Sequence, residues 1–470
     1  MKRILIFCAG ILLLLTISLY GQSLPTPVEQ AVQTPNQTGE ATPPVSVDTL
    51  VLEALQKNPG VQSALHALEA QRRRVPQAKT LPDPTVGVGW AGNITPFSVQ
   101  QGDPSSYRGV SASQQLLYPG KLKLRGEIAS KEADAAYWDY ETVRRRVTAD
   151  VKSAYYDYFY YDKALQITQK DKDLLQKLAA IAEARYRVGK GIQQDVLKSQ
   201  TEISLLLQRL TVLEQQRKTA QARLNTLLAH DPETPLPPAE NVQQASLNYS
   251  LERIYQLGRE NDPGLHRQQE MIVRNERAIN LAQKDYYPDM NVAYLYQQRP
   301  GLPDMNGFTF TVNVPVFYRT KQREEVRQAT EEKISSERNK ADRQNEVNFA
   351  LKQQYLAAKA SDDLLRLYSQ GVVPQASLAL ESSMSSYQVG NVDFLSVLGN
   401  FSTVLNYEID YYRELANYQM ALAQLETIVG VDLTSAQSPP VQPVPGPSVT
   451  QPALPAPRPP APAPTQASGT

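Results

Sequence analysis

The sequence predicts a mainly α-helical chain with a small β portion, built as two copies of one plan. Three observations predict it. Apolar residues recur at heptad spacing over long proline-free stretches, short alternating segments lie between those stretches, and ordered landmarks return about 200 residues later.

The landmarks define the repeat. Asn58-Pro59-Gly60-Val61 is answered by Asp262-Pro263-Gly264-Leu265, and Leu81-Pro82-Asp83-Pro84 by Tyr287-Pro288-Asp289. Tyr186-Arg187-Val188-Gly189 is answered by Tyr387-Gln388-Val389-Gly390, with Val196-Leu197 matched by Val397-Leu398 at the same offset. The first copy is placed at 46–230, the second at 247–433, and a proline-containing linker at 231–246. Each copy reads as helix, two short strands, very long helix, tight turn, long helix.

The long helices are read from their periodicity. Val147, Ala154, Tyr161, Leu175 and Ala182 keep a seven-residue step, interleaved with Val151, Tyr158, Leu165, Ala179 and Tyr186. Such a seam packs helix on helix. The returning helix repeats it at Val196, Ile203, Leu210 and Leu224 and at Leu206, Leu213, Ala220 and Leu227. Val397, Val404, Tyr411, Tyr418 and Leu425 do so in the second copy. From Gly120 to Arg185 no proline intervenes, so this helix is expected to reach roughly 100 Å at about 1.5 Å per residue. In the second copy Gly371 and Pro374 are expected to interrupt the corresponding helix.

The strands come next. Phe308, Phe310, Val312 and Val314 alternate with Thr309, Thr311 and Asn313, and Met290, Val292, Tyr294 and Tyr296 with Asn291, Ala293, Leu295 and Gln297. In the first copy Val86, Val88 and Trp90 alternate with Gly87, Gly89 and Ala91, and Val110 and Ala112 with Ser111 and Ser113. A soluble antiparallel sheet with one buried face fits this pattern. So does a membrane β-barrel, but four strands cannot close one alone, and an open sheet in lipid leaves edge groups unsatisfied. Closure would demand several chains.

The ends read differently. Residues 1–21 start Met1-Lys2-Arg3, run apolar from Ile4 to Leu19 and reach Gly21, the pattern of a cleaved secretory signal. That run is shorter than the roughly 20 residues of a spanning helix. Cys8, the only cysteine, lies within it, so no disulfide is expected in the mature chain. Lipoprotein cleavage before Cys8 would follow bulky Phe7 and truncate the apolar core. Residues 22–45, rich in Pro, Thr and Gln, and 434–470, rich in Pro and Ala, have too little apolar mass to offset ordering and are expected to be extended tails.

Composition narrows the function. Forty-eight basic residues balance 48 acidic ones, for a net charge of +0, so the basic excess of a nucleic-acid binder is missing. His66, His230 and His266 have no Cys or carboxylate at ligand spacing, and no phosphate-binding glycine loop or nucleophile elbow occurs. No metal, cofactor or catalytic site is predicted. The run from Tyr155 to Tyr161 is read as packing inside a helical barrel, since Tyr158 and Tyr161 fall on the seam. Gly189-Lys190-Gly191 and Gly390-Asn391 supply the positive φ that reversing two long helices requires.

As a set these features resemble the TolC-like outer-membrane efflux proteins. Within that family they are similar to the heavy-metal efflux branch typified by CzcC. The resemblance rests on the repeat, on Leu81-Pro82-Asp83-Pro84, on Gln115-Leu116-Leu117-Tyr118-Pro119-Gly120-Lys121, and on Pro374-Gln375-Ala376 through Tyr387-Gln388-Val389-Gly390-Asn391-Val392-Asp393-Phe394-Leu395. It implies a homotrimer whose twelve strands form a barrel in outer-membrane lipid and whose helices form a periplasmic α-barrel. An inner-membrane efflux pump and a periplasmic adaptor are the implied partners. The implied role is a passive channel.

In the family the tips beyond the turns close the tunnel and receive the adaptor. That singles out Tyr186, Gly189 and Asp195 in the first copy and Tyr387, Gly390, Asp393 and Ser396 in the second. Carboxylates ringed by symmetry would repel one another and favour cations. Better-known relatives carry acidic residues further into the second returning helix, where this chain has Ser396 and Gly399, so Asp393 is only a nearby substitute. Two other classes compete. A periplasmic adaptor would show one hairpin flanked by a split lipoyl-like segment, and an envelope coiled-coil scaffold would not explain the four alternating strands.

Overall fold

The computed structural model describes residues 44–93 and 98–433. The expected signal segment, the N-terminal linker up to residue 43 and the Pro/Ala-rich tail from 434 lie outside them.

In chain order the elements are α1 (Val47–Lys57), α2 (Pro59–Lys79), β1 (Thr85–Ala91), β2 (Tyr107–Leu116), α3 (Lys121–Arg187) and α4 (Gln193–Leu227). The same order returns as α5 (Leu251–Asn261), α6 (Pro263–Lys284), β3 (Asp289–Gln298), β4 (Met305–Asn313), α7 (Gln322–Leu367), α8 (Val373–Val389) and α9 (Phe394–Val429). Where one first helix per copy is expected, there are two. Asn58 ends α1 and caps α2, accepting from the Gly60 and Val61 amides, and Pro59 occupies a first-turn position where its missing N–H costs nothing. Asp262 and Pro263 repeat the arrangement.

Gly120, at φ 97°, opens α3, which runs unbroken for 67 residues, about 100 Å. The interruption expected at Gly371 and Pro374 is milder than a break. Tyr368–Val372 forms one π-helical segment in which the Val373 amide bonds the Tyr368 carbonyl, and α8 follows directly with Pro374 in its first turn. Widening by one residue absorbs the donor that proline lacks.

The seam on α3 holds in part. Val147, Val151, Ala154, Tyr158, Leu175 and Ala182 are buried, but Leu165 and Ala179 are half-buried and Tyr186 is 45% exposed. Ala164, Thr168, Asp171 and Leu178 take the buried positions instead. A single stripe cannot serve because α3 meets α2 and α6 near its start and α4 and α9 further along. The buried face turns with the partner. On α4, Leu206, Leu213 and Ala220 are buried at the expected step, and on α9 so are Val397, Val404, Tyr418 and Leu425.

The tyrosine run packs against its own chain. The Tyr155 hydroxyl donates to the Val45 carbonyl and accepts from the Glu240 amide, both at 3.0 Å, while that of Tyr158 donates to the Pro237 carbonyl at 3.3 Å. Together with Asn225, which donates to the Thr234 carbonyl, they hold the segment between the copies against α3.

The sheet is antiparallel in the order β1-β2-β3-β4, so the two copies join at β2 and β3. At the foot of the strands the Lys121 ammonium, 3% exposed, lies 3.0 Å from Asp285 and 2.9 Å from Asp289 and donates to the Tyr287 carbonyl. Burial alone would lower its pKa; the hydrogen bonds to Asp289 and Asp285 outweigh that and raise it. This pair of ion bridges fixes the start of α3 to the start of β3.

Candidate functional site

Register puts most of the large apolar residues of the four strands on one face, with Leu295 among the polar and small residues of the other. Val86 lies opposite Ala112, Ala112 opposite Tyr294, and Tyr294 opposite Phe308, with Val88, Val110 and Tyr296 in the next row. No helix among the described residues covers them: Val86 is 78% exposed, Val88 88% and Phe308 82%. Ser111, Ser113, Thr309 and Thr311 line the other face. Each such side chain left in water forgoes roughly 1.5–3 kcal/mol of burial. The expectation of a soluble sheet with its apolar face buried within the chain is therefore not met. β1 and β4 pair on one side only. No helix among the described residues is long and apolar enough to cross a membrane.

The two turns between long helices are copies of each other. The Gly189 amide bonds the Tyr186 carbonyl and Lys190 that of Arg185; Gly390 bonds Tyr387 and Asn391 bonds Ser386 in the same pattern. Gly189 and Gly390 have φ of 72° and 88°, where a Cβ would be strained.

The tips are tied together through Arg185, a residue the sequence did not single out. Its guanidinium lies over the Tyr387 ring at 4.7 Å and donates to the carbonyls of Tyr387, Gln388 and Lys190. The Tyr387 hydroxyl in turn donates to Asp195 Oδ2 at 3.3 Å. Burial and the Asp195 charge push that hydroxyl up to about 12, so it stays a donor. Tyr387 is 3% exposed, whereas Tyr186, its counterpart in the first copy, lies outside the contact. The only signal in the sequence was the copy difference: where the first copy has Arg185 and Asp195, the second has Ser386 and Ser396.

The carboxylates play separate parts. Burial raises the Asp195 pKa against the opposing pull of Tyr387 and Arg185, with a further upward push from Asp393. Asp393 caps α9, accepting from the Ser396 amide at 3.3 Å, and its bonds to Ser396 hold it below the usual range. Among the described residues no cluster of three or more potential metal ligands occurs. His230 pairs with Glu53 at 2.9 Å, and His266 stacks on Trp138.

Asp171, on α3, is 6% exposed and its Oδ2 has no hydrogen-bond partner. Burial, then Glu408, push its carboxyl up to about 6, with Lys170 and Arg209 opposing. A raised folded pKa means that the folded chain holds this proton more tightly, so the penalty is absent below about pH 4 and complete above the folded value. Between those limits the wild type should lose about 3 kcal/mol relative to Asp171→Asn, read by thermal unfolding at acid and neutral pH. A variant that instead loses stability relative to wild type as pH rises would refute this.

The sequence profile of the outer membrane efflux protein family matches residues 50–230 and 254–431. The chain belongs to that family. Its members are channels of the outer membrane and not enzymes. VceC from Vibrio cholerae has the same fold, with a TM-score of 0.67 at 15% identity, over 82% of this chain and 96% of that one. CusC superposes with a TM-score of 0.68 at 18% identity, over 82% and 91%, and the CmeC channel of Campylobacter jejuni with 0.67 at 13%, over 82% and 85%. In sequence, 119 residues are 27% identical to the pyoverdine export outer membrane protein OpmQ of Pseudomonas putida, a match spanning 25% of either chain.

Proposed function

We propose that the chain is the passive exit duct of a tripartite efflux system, receiving substrate from an inner-membrane pump through a periplasmic adaptor. The observation that carries this reading is the uncovered apolar face of a four-stranded sheet with both edges open. In lipid the exposed side chains have their solvent, and the edges are satisfied when β4 of one chain pairs with β1 of the next. Three chains then make a twelve-stranded barrel, with the helices as a periplasmic tunnel and the Arg185, Tyr387 and Asp195 contact at its aperture. Cleavage near Gly21, repeats at 46–230 and 247–433, the linker at 231–246 and a tail from 434 belong to the same reading.

The resemblance of residues 115–121 and 374–395 to the CzcC-like branch suggests metal ions, while the residues themselves name no exported compound. OpmQ is named for pyoverdine export, a different cargo. A passive duct takes such selectivity from its pump. Purified protein added to planar bilayers should give discrete, ohmic conductance steps without nucleotide or ion gradient. A protein that folds but never conducts overturns the proposal.

A further inference from the structure

We infer that the segment after β4 is a binding site for an anionic phospholipid headgroup at the periplasmic boundary of the outer membrane, an inference that rests on the membrane reading above. Beyond β4 the chain continues Val314-Pro315-Val316-Phe317-Tyr318-Arg319-Thr320-Lys321. Val316 is 68% exposed and Phe317 74%, in the turn that follows directly on the strand carrying the exposed Phe310 and Val312. Turn bonds from the Thr320 and Lys321 amides to the Phe317 carbonyl, and from Arg323 to Tyr318, hold the segment in shape.

Aromatic rings gather at this level. Tyr286 and Tyr318 lie 6.5 Å apart, and Tyr118 and Tyr287 stack at 4.5 Å with the Lys284 ammonium above both. Tyrosines with one apolar and one wet end suit the headgroup layer. Most of the carboxylates near this segment are engaged, with Glu325 half-buried one turn beyond Lys321. Asp285 and Asp289 are taken up by Lys121, and Glu324 by Arg323 and Arg327. Among the described residues no ion pair engages Arg319 or Lys321, both exposed. Arg319 donates to the Tyr318 hydroxyl at 3.2 Å, which aims the guanidinium beside the ring and leaves donors for a phosphate.

An exposed apolar ramp ending in aromatic rings and two unpaired cations complements one kind of partner. The acyl chains lie on Phe310 and Val312, and the phosphate meets Arg319 and Lys321.

The test is a binding titration of fluorescent phosphatidylglycerol into the folded, detergent-solubilised protein, with phosphatidylcholine and inorganic phosphate as competitors. Phosphatidylglycerol should bind, phosphatidylcholine should compete poorly and phosphate not at all. Arg319→Ser with Lys321→Ser should weaken binding about thirtyfold, since each cation near an anionic surface contributes on the order of a tenfold or less. Arg319→Lys with Lys321→Arg should retain it. Equal affinity in the double serine variant, equal binding of the neutral lipid, or displacement by phosphate alone overturns the site. Insertion into phosphatidylcholine vesicles is scored in parallel: wild type that inserts without preferring phosphatidylglycerol sinks this inference alone, while wild type that never inserts sinks the membrane reading.

Discussion

Arg185→Ala is expected to raise single-channel conductance several-fold. This guanidinium donates to the Lys190 carbonyl of its own turn and, across to the α8–α9 turn, to the Tyr387 and Gln388 carbonyls while lying over the Tyr387 ring, a contact that on the proposed reading holds the aperture narrow. Hydrogen bonds to a charged group contribute about 1.5–3 kcal/mol each, and a loss of about 3 kcal/mol shifts a closed-to-open ratio by more than a hundredfold. Tyr387→Phe removes only the hydroxyl bond to Asp195 and should have a smaller effect of the same sign. Because Asp195 is partly buried and Asp393 caps a helix, Asp195→Ala with Asp393→Ala should change cation preference as well, more at low salt. Planar-bilayer recording separates these outcomes. Unchanged conductance in Arg185→Ala would show that the contact does not restrict the aperture.

Phe308→Lys with Phe310→Lys should abolish membrane insertion. Both side chains are on the bare face of β4, 82% and 66% exposed. A lysine on the lipid face costs about 2–4 kcal/mol near the midplane, so two together cost about 4–8 kcal/mol, comparable to the roughly 5–15 kcal/mol by which a folded domain is stable. Thr309→Lys with Thr311→Lys, on the opposite face of the same strand, should leave insertion intact and alter selectivity. The pairing of these outcomes matters, since a soluble sheet would tolerate both changes alike. Vesicle flotation reads the result.

Local chemistry made much of this fold legible. Gly189 and Gly390 mark turns, and alternation at Phe308 to Val312 marks a strand, because each acts through its own backbone or its nearest neighbours, whereas Asn58-Pro59 and Asp262-Pro263 stand out as repeat landmarks without showing the extra helix start that each makes. What stayed hidden depends on distant partners. Arg185 meets residues 202 and 203 positions away, and Lys121 finds Asp289 168 positions away, distances over which periodicity carries no information. The π-helical segment before Pro374 was hidden for another reason. Proline predicts a lost donor, but not whether the helix breaks or, as here, widens by one π-helical turn. Tyr186 was misplaced by extending one heptad frame along a helix that changes partners.

The central claim is that the open edges of the sheet are closed by other copies of the chain. Since Cys8 is the only cysteine and lies in the segment expected to be cleaved, engineered thiols can be read without background. One cysteine in β1, combined in turn with each position of β4, should under oxidation give chains linked to one another up to a trimer in the outer-membrane fraction. A protein that stays monomeric at every pairing, and fractionates with the soluble periplasm, would contradict the account.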